Sequence, residues 1–295
     1  MKRLLFAFSS IILVTLLLAF PQEDEPKKAH GAPLRLMTAN LTSGNQPSYD
    51  LGHGTRILKA LQPDIILIQE FNVGKNSPQE IQAWIQATFG AEFTYYRENE
   101  ADIPNGIISR FPIIKQGEWD DSYVKNRDFA WACIDIPGSI DLWVVSVHLL
   151  TASPHIRNQE ASQLVRYIQA EIPVDQYLVI GGDFNTQSRS EPAIQTLGSV
   201  IVKQGPYPED QSGNGNTNAN RNKPYDWLFA DGDLQPRATP TKIGTVEFPY
   251  GLIFDSRRFQ PLSVIPPVQQ GDSNAFNMQH MAVIRDFILP DPPQF

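Results

Sequence analysis

The run Leu178-Val179-Ile180-Gly181-Gly182-Asp183-Phe184-Asn185 decides how this chain is read. Its first part is short and apolar, the composition of a buried strand, and it stops at an ionisable side chain. Asp183 and Asn185 are two residues apart, so in extended backbone both side chains point to one side. Gly181 and Gly182 leave room for another backbone or a ligand to come close. Taken alone, Asp-x-Asn after a strand is most often a turn or a helix cap, because both side chains bond local N–H groups.

Working outward, other apolar runs end in the same way. Leu34-Arg-Leu-Met-Thr-Ala stops at Asn40, Ile65-Ile-Leu-Ile-Gln at Glu70, and Trp143-Val-Val-Ser-Val at His148. Asp226, after Pro224 and Tyr225, opens a run instead, and so does His280. A Glu after a strand is usually solvated, and a His there is usually satisfied by a carbonyl. Repeated over six strand ends, however, carboxylates, amides and imidazoles form a pattern, because strand ends are where a rigid scaffold presents side chains to a cleft.

Strand-like runs fall at residues 34–38, 65–69, 106–109, 131–136, 142–147, 177–180, 227–230 and 281–288. Helical patterns lie at 54–61, 77–89 and 156–171, with Pro78 suited to a first helical turn. The alternation predicts sheets covered by helices, an α/β or α+β fold. No short repeat is present, which argues against solenoids and propellers. Residues 204–224 are crowded with Gly, Asn and Pro and are expected to form a long functional or mobile loop. Residues 290–295 read as a non-helical terminus.

The 295 residues carry 24 Lys+Arg against 32 Asp+Glu, a net charge of −8. That balance argues against holding nucleic acid by bulk positive charge. The single cysteine, Cys133, excludes an internal disulfide and any multi-cysteine metal site, and its place in a strand-like run reads as a small buried apolar residue. Lys2 and Arg3 precede an apolar run over 4–20, the layout of a signal peptide or, alternatively, of an uncleaved membrane anchor. Pro- and charge-rich residues 21–33 read as a tether. Residues 1–31 are therefore assigned to the leader and tether and 32–295 to one domain, which is expected to be exported (periplasmic or secreted), or held at the membrane by its N-terminus, and monomeric.

The ordered set Thr38-Ala-Asn40, Gln69-Glu70, Asn105-Gly-Ile-Ile-Ser-Arg110-Phe-Pro, Ser146-Val-His148, Gly181-Gly-Asp183-Phe-Asn185, Tyr225-Asp226-Trp-Leu and His280-Met-Ala-Val resembles the endonuclease/exonuclease/phosphatase (deoxyribonuclease I-like) superfamily, across residues 34–289. The resemblance implies a four-layer sandwich of two mixed β-sheets flanked by helices, with one cleft at the strand ends. It implies a metal held by Glu70 with Asn40 beside it, and hard oxygen donors of that kind suit Mg²⁺, with Mn²⁺ as a substitute. Asp183 would activate the attacking water and Asn185 would bond a phosphate oxygen. His280, oriented by Asp226, would stabilise charge on the phosphoryl group, with His148 as a second imidazole. Asn105 and Thr151 are candidate substrate contacts.

One departure stands out. The family usually writes Ser-Asp-His where this chain has Met278-Gln279-His280. Either the site keeps one metal, or a carboxylate such as Asp272 replaces the missing one. The implied activity is hydrolysis of a phosphodiester, in nucleic acid or another phosphodiester. A phospholipase-C-like or sphingomyelinase-like action on lipid head groups is the alternative, and a non-catalytic binding protein on the same fold is a third reading. His30, His53 and His155 match no motif position and read as surface histidines, and Arg157 as a helix residue facing solvent. Tyr95, Tyr96, Trp119, Tyr123 and Trp131 read as core and rim packing rather than base-stacking residues.

Overall fold

The computed structural model describes residues 31–41, 52–276 and 278–291. The leader over 4–20, most of the tether, His30 and the end of the C-terminal tail lie outside them. Among the described residues, no helix is long and apolar enough to cross a membrane.

In chain order the elements are β1 (Ala32–Asn40), α1 (His53–Leu61), β2 (Ile65–Gln69), α2 (Pro78–Thr88), β3 (Thr94–Arg97), β4 (Gly106–Ser109), β5 (Ile113–Trp119), β6 (Phe129–Ile134), β7 (Leu142–His148), α3 (Pro154–Glu171), β8 (Tyr177–Asp183), α4 (Pro192–Leu197), β9 (Asp226–Ala230), β10 (Ala238–Thr239), β11 (Thr241–Ile243), β12 (Val246–Phe248), β13 (Leu252–Phe254) and β14 (Ala282–Leu289). One sheet runs β10-β14-β1-β2-β4-β3, with β13 also on β14, and the other runs β5-β6-β7-β8-β9. β11 and β12 form a separate hairpin. The β1–β2 and β7–β8 pairs are parallel and the remaining pairs antiparallel.

Alternation along each strand builds the layers. Leu34 and Leu36 of β1, Leu67 of β2, Val144 of β7, Val179 of β8 and Val283 of β14 share the core between the sheets. Met37, Ile66, Ile68 and Ile284 point the other way, against Ile57, Leu58 and Leu61 of α1 and Ile81 and Ile85 of α2. Trp143, Val145 and Ile180 face Leu164 and Ile168 of α3 and Ala193 and Ile194 of α4. The result is the expected four layers of helix, sheet, sheet and helix. β2 has both faces covered, which is why it reads as the unbroken run Ile-Ile-Leu-Ile-Gln, buried throughout.

The strands that the sequence hides are edges. β3 and β5 end their sheets and carry exposed Thr94, Ile114, Lys115 and Gln116, so no clean apolar run marks them. α2 starts as the sequence demands: Ser77 accepts from Glu80 N while the Glu80 carboxylate accepts from Ser77 N, a capping box with Pro78 behind it.

Arg157 is corrected. It is fully buried, with Nε and Nη2 donating to Glu191 at 2.8 and 2.7 Å and Nη1 to the carbonyls of Leu150 and Thr151. The partner lies beyond β8 in the chain, where helical periodicity cannot reveal it. The loop over 204–224 carries no helix or strand, as expected, yet it is pinned rather than slack. Arg221 joins Asp210 at 2.8 Å and Asp255 at 2.7 Å. Of the candidate stacking aromatics, Trp119 is stacked on Trp131 and Tyr167 and Tyr95 is edge-on to Phe71, as anticipated, whereas Tyr123 is exposed. Cys133 is buried.

Candidate active site

Topology alone carries the polar strand ends to one place. β1 and β2 are parallel, pairing Asn40 with Gln69, so Glu70 leaves the sheet beside Asn40. β7 and β8 are parallel, pairing His148 with Asp183, and antiparallel β9 starts at Asp226 directly opposite Asp183. β14 runs antiparallel to β1, so His280, just before it, arrives at the same end. With the sheets stacked face to face, the exits of β1, β2, β7 and β8 meet the entries of β9 and β14.

Asp183 is the centre of this cluster. Its Oδ2 lies 3.1 Å from Asn40 Nδ2, 3.2 Å from Asn185 Nδ2, 3.3 Å from His148 Nε2 and 3.7 Å from His280 Nε2. Asn40 Nδ2 also donates to Glu70 Oε1 at 3.1 Å, which ties the two carboxylates through one amide. Asn185, at φ 51°, donates its backbone N–H to Asp183 Oδ1 at 2.8 Å, and its amide also donates to Leu149 O. In this structure Asn185 therefore holds the Asp183 carboxylate. Glu70 is likewise in the left-handed region, at φ 53°, a conformation unusual for a non-glycine residue that turns its side chain off the strand line.

Burial and neighbours drive the charges apart. Asp183 is raised to about 7, first by burial, with Asp226 and Glu70 adding repulsion that His280 and the Asn185 N–H only partly offset. Burial alone would depress His280, but Asp226 and Asp183 outweigh it and raise the imidazole to about 10. The ring's Nδ1 lies 3.1 and 3.0 Å from the two Asp226 oxygens. His148 goes the opposite way, well below the usual histidine value, because burial, Arg127 and His280 all oppose a second positive charge. The site thus holds one imidazolium, one neutral imidazole and a carboxylate poised near neutrality, the separation that acid–base assignments require.

Asp183, Asp226 and His280 each offer an atom within 4.8 Å of the others. A protonated imidazole donates at both nitrogens and cannot ligate a cation, so this trio is read as a hydrogen-bonded catalytic group. The oxygens of Glu70 and Asn40, beside Asp183, have the chemistry that a hard cation takes.

Two supporting features had no role assigned from the motifs, although Thr38, Gln69 and Ser146 stand in them. A polar floor crosses between the sheets beneath the site: Thr38 Oγ1 lies 3.3 Å from Gln69 Oε1, Gln69 Nε2 donates to Ser146 Oγ at 2.9 Å, and Ser146 Oγ donates to Ile68 O. Arg127 is buried behind His148, with Nε on the His148 carbonyl and Nη2 on Leu149 O. It stands just ahead of β6, as Asp226 and His280 stand at the entries of their strands, and that placement was the available signal.

The remaining expectations divide. Asn105 is fully buried, its amide donating to Glu98 Oε1 at 3.0 Å and to Asp128 O at 2.7 Å, while its Oδ1 is buried without a partner. Thr151 is exposed, and its carbonyl is bonded to Arg157. Asp272 does not replace the missing carboxylate. It is buried, with Oδ2 taking Arg56 Nε at 3.0 Å and the Gln269 N–H at 2.8 Å, and Oδ1 taking Arg56 Nη2 and facing His53 Nδ1 at 3.2 Å. His53 is accordingly half-buried rather than a free surface histidine, whereas His155 is exposed. The 204–224 loop serves the site: Thr217 Oγ1 accepts the Asp226 N–H at 2.7 Å, and Asn218 bridges to His280.

A profile of the Endonuclease/Exonuclease/phosphatase family matches residues 49–248. No curated protein matches the sequence. Among solved structures, an endonuclease/exonuclease/phosphatase from Beutenbergia cavernae superposes with a TM-score of 0.58 at 17% identity, covering 88% of this chain and 72% of that one. One from Bacteroides vulgatus gives 0.58 at 14% identity, covering 88% and 99%. Humanized D. rerio TDP2 gives 0.54 at 16% identity, covering 86% and 98%. At these identities the structural likenesses speak to the fold.

Proposed function

The chain belongs to the endonuclease/exonuclease/phosphatase family, whose members are generally hydrolases, and on that footing we propose that it is a divalent-metal-dependent phosphodiesterase with nucleic acid as its first substrate class. The observation that carries the reading is the intact dyad of His280 and Asp226 facing Asp183, in surroundings that favour charge on His280 and oppose it on His148. A binding protein descended from such an enzyme has no use for so costly a buried arrangement. Export is part of the proposal, supported by Lys2, Arg3 and the apolar run that follows them.

Glu70 and Asn40 would hold the cation. The donor set fits, because the Glu70 carboxylate and the Asn40 amide lie side by side, and Glu70 adds to a repulsion at Asp183 that a cation would relieve. A bound Mg²⁺ or Mn²⁺ supplies charge neutralisation at the phosphoryl oxygens and a more acidic water. Asp183 accepts the proton of the attacking water as the new P–O bond forms. His280 directs its Nε2–H at a phosphoryl oxygen while Asp226 holds Nδ1–H, so the imidazolium stabilises charge that grows as the leaving P–O bond breaks.

The direct test assays residues 32–295 on plasmid DNA, RNA, a chromogenic phosphodiester, sphingomyelin and inositol phosphates, with Mg²⁺ or Mn²⁺ and with EDTA. Turnover of the nucleic acids that EDTA abolishes is expected, with Glu70→Gln needing more metal for the same rate. Turnover confined to sphingomyelin would replace the substrate class, and no turnover on any of them would sink the enzymatic reading.

A pH profile tests the role of His280 separately. The imidazolium is the active form, so kcat/KM falls as pH rises through its pKa, near 10. Asp226 is the largest influence that raises that pKa, ahead of Asp183, so Asp226→Asn is expected to move the alkaline limb toward neutrality. A limb that stays in place would mean that another group titrates there.

A further inference from the structure

The free edge of β9 faces a cavity of about 20 Å³, walled by residues from the 202–215 segment, β13 and β14. Two arginines line it. Arg285 is 8% exposed and lies on β14 between Val283 and Phe287, which both pack in the core between the sheets. Alternation therefore puts a guanidinium in a row that should be apolar. Its Nη1 donates to Leu228 O at 3.2 Å, its Nη2 to Gln235 Oε1 at 2.8 Å, and its Cζ lies 5.1 Å from the Phe287 ring. A guanidinium has more N–H groups than those two bonds employ. Arg189 donates from Nη2 to Gly215 O at 2.9 Å and sits 4.9 Å from the Tyr207 ring, while its Nε is buried with no partner. Gly215 permits the approach, since a Cβ there would overlap the guanidinium.

Among the described residues neither buried Arg285 nor half-buried Arg189 forms an ion pair, whereas Arg157 pairs with Glu191 and Arg221 with Asp210 and Asp255. Buried Arg127 also lacks a direct pair, but Asp183, Glu160, Asp121 and Glu70 act on it from nearby. Asp226 is the one acid on the cavity wall, and its carboxylate is engaged by His280. Burial is the one influence on the Arg285 pKa, and it pulls the group down to about 10. Leaving a buried charge uncompensated costs several kcal/mol in general, and carbonyls and ring faces offset only part of that.

We propose that the cavity between Arg189 and Arg285 binds a small monovalent anion of the halide class through their charge-assisted N–H groups. Its volume admits a guest about the size of one water molecule, which suits chloride or bromide better than the larger sulfate or phosphate. A water would satisfy the donors but not the charge. The anion lies against β9, whose first residue is Asp226, and so braces the strand that carries the His280 partner.

The test titrates chloride or bromide into residues 32–295 at constant ionic strength, with gluconate as the balancing anion too large for the cavity, while thermal unfolding is followed. A saturable rise in Tm of roughly 2–4 °C is expected in the wild type and not in Arg285→Met. Should Arg285→Met fail to fold, Arg189→Met is expected to weaken the same titration, and crystals grown in bromide are expected to show an anomalous peak between the two guanidinium groups. The proposal is overturned by a bromide crystal without that peak, or by a halide response that is non-saturating or identical in the wild type and the variants.

Discussion

Asp183→Asn is expected to lower kcat by at least about a hundredfold, with the fold intact and substrate binding largely kept. The substitution preserves size and shape, but its NH2 must face either the Asn185 N–H or the Asn40 and Asn185 side-chain amides, all of which donate to the carboxylate. It also removes the one carboxylate among the described residues that contacts both imidazoles. A positioned general base is commonly worth a factor of about 10²–10⁴. Asp183 has the environment for that work: buried, raised to about 7, and facing the imidazolium of His280 at 3.7 Å. His280→Ala is expected to cost a comparable factor by removing the group that meets developing charge. The measurement is single-turnover kinetics at saturating metal, with circular dichroism to confirm folding. A rate within about threefold of wild type for Asp183→Asn would place the base elsewhere.

Glu191→Ala is expected to be the most damaging single change to stability, at about 3–5 kcal/mol, because it strands the Arg157 guanidinium at zero exposure. The pair does more than link α3 to α4. Arg157 also binds the carbonyls of Leu150 and Thr151, and Glu191 accepts the Gln187 N–H at 2.7 Å, so the segments leaving His148 and Asn185 are both anchored on it. Removing both charges together should be far milder, since the damage comes from the unpaired ion rather than from the lost attraction. Urea denaturation of Glu191→Ala beside Arg157→Met/Glu191→Leu checks this. A double variant less stable than Glu191→Ala would refute it.

The site was largely legible because its logic is one-dimensional. Each strand in the interior of a sheet is an apolar run, and where Asn40, Glu70, His148 and Asp183 interrupt it the chain is leaving the core. β9 and β14 announce Asp226 and His280 at their entries for the same reason. What escaped were groups whose meaning depends on a distant partner. Arg157 looks like any polar residue at the start of a helix until Glu191 is brought beneath it. Asp272 looks like a spare acid near the end of the site until Arg56 of α1 claims it. Asn105, beside a strand, looks available until Glu98 closes over it.

What the amino-acid order determined by itself, then, was the layered architecture, the place where each central strand stops, and the chemical types assembled at those stops, because burial imposes a short-range periodicity that any local window displays. The tertiary structure alone decided which side chains are paired, which histidine is charged, and which arginines are left without an acid. Those outcomes depend on desolvation and on distances between elements far apart in the chain, and neither quantity exists until the sheets have been stacked.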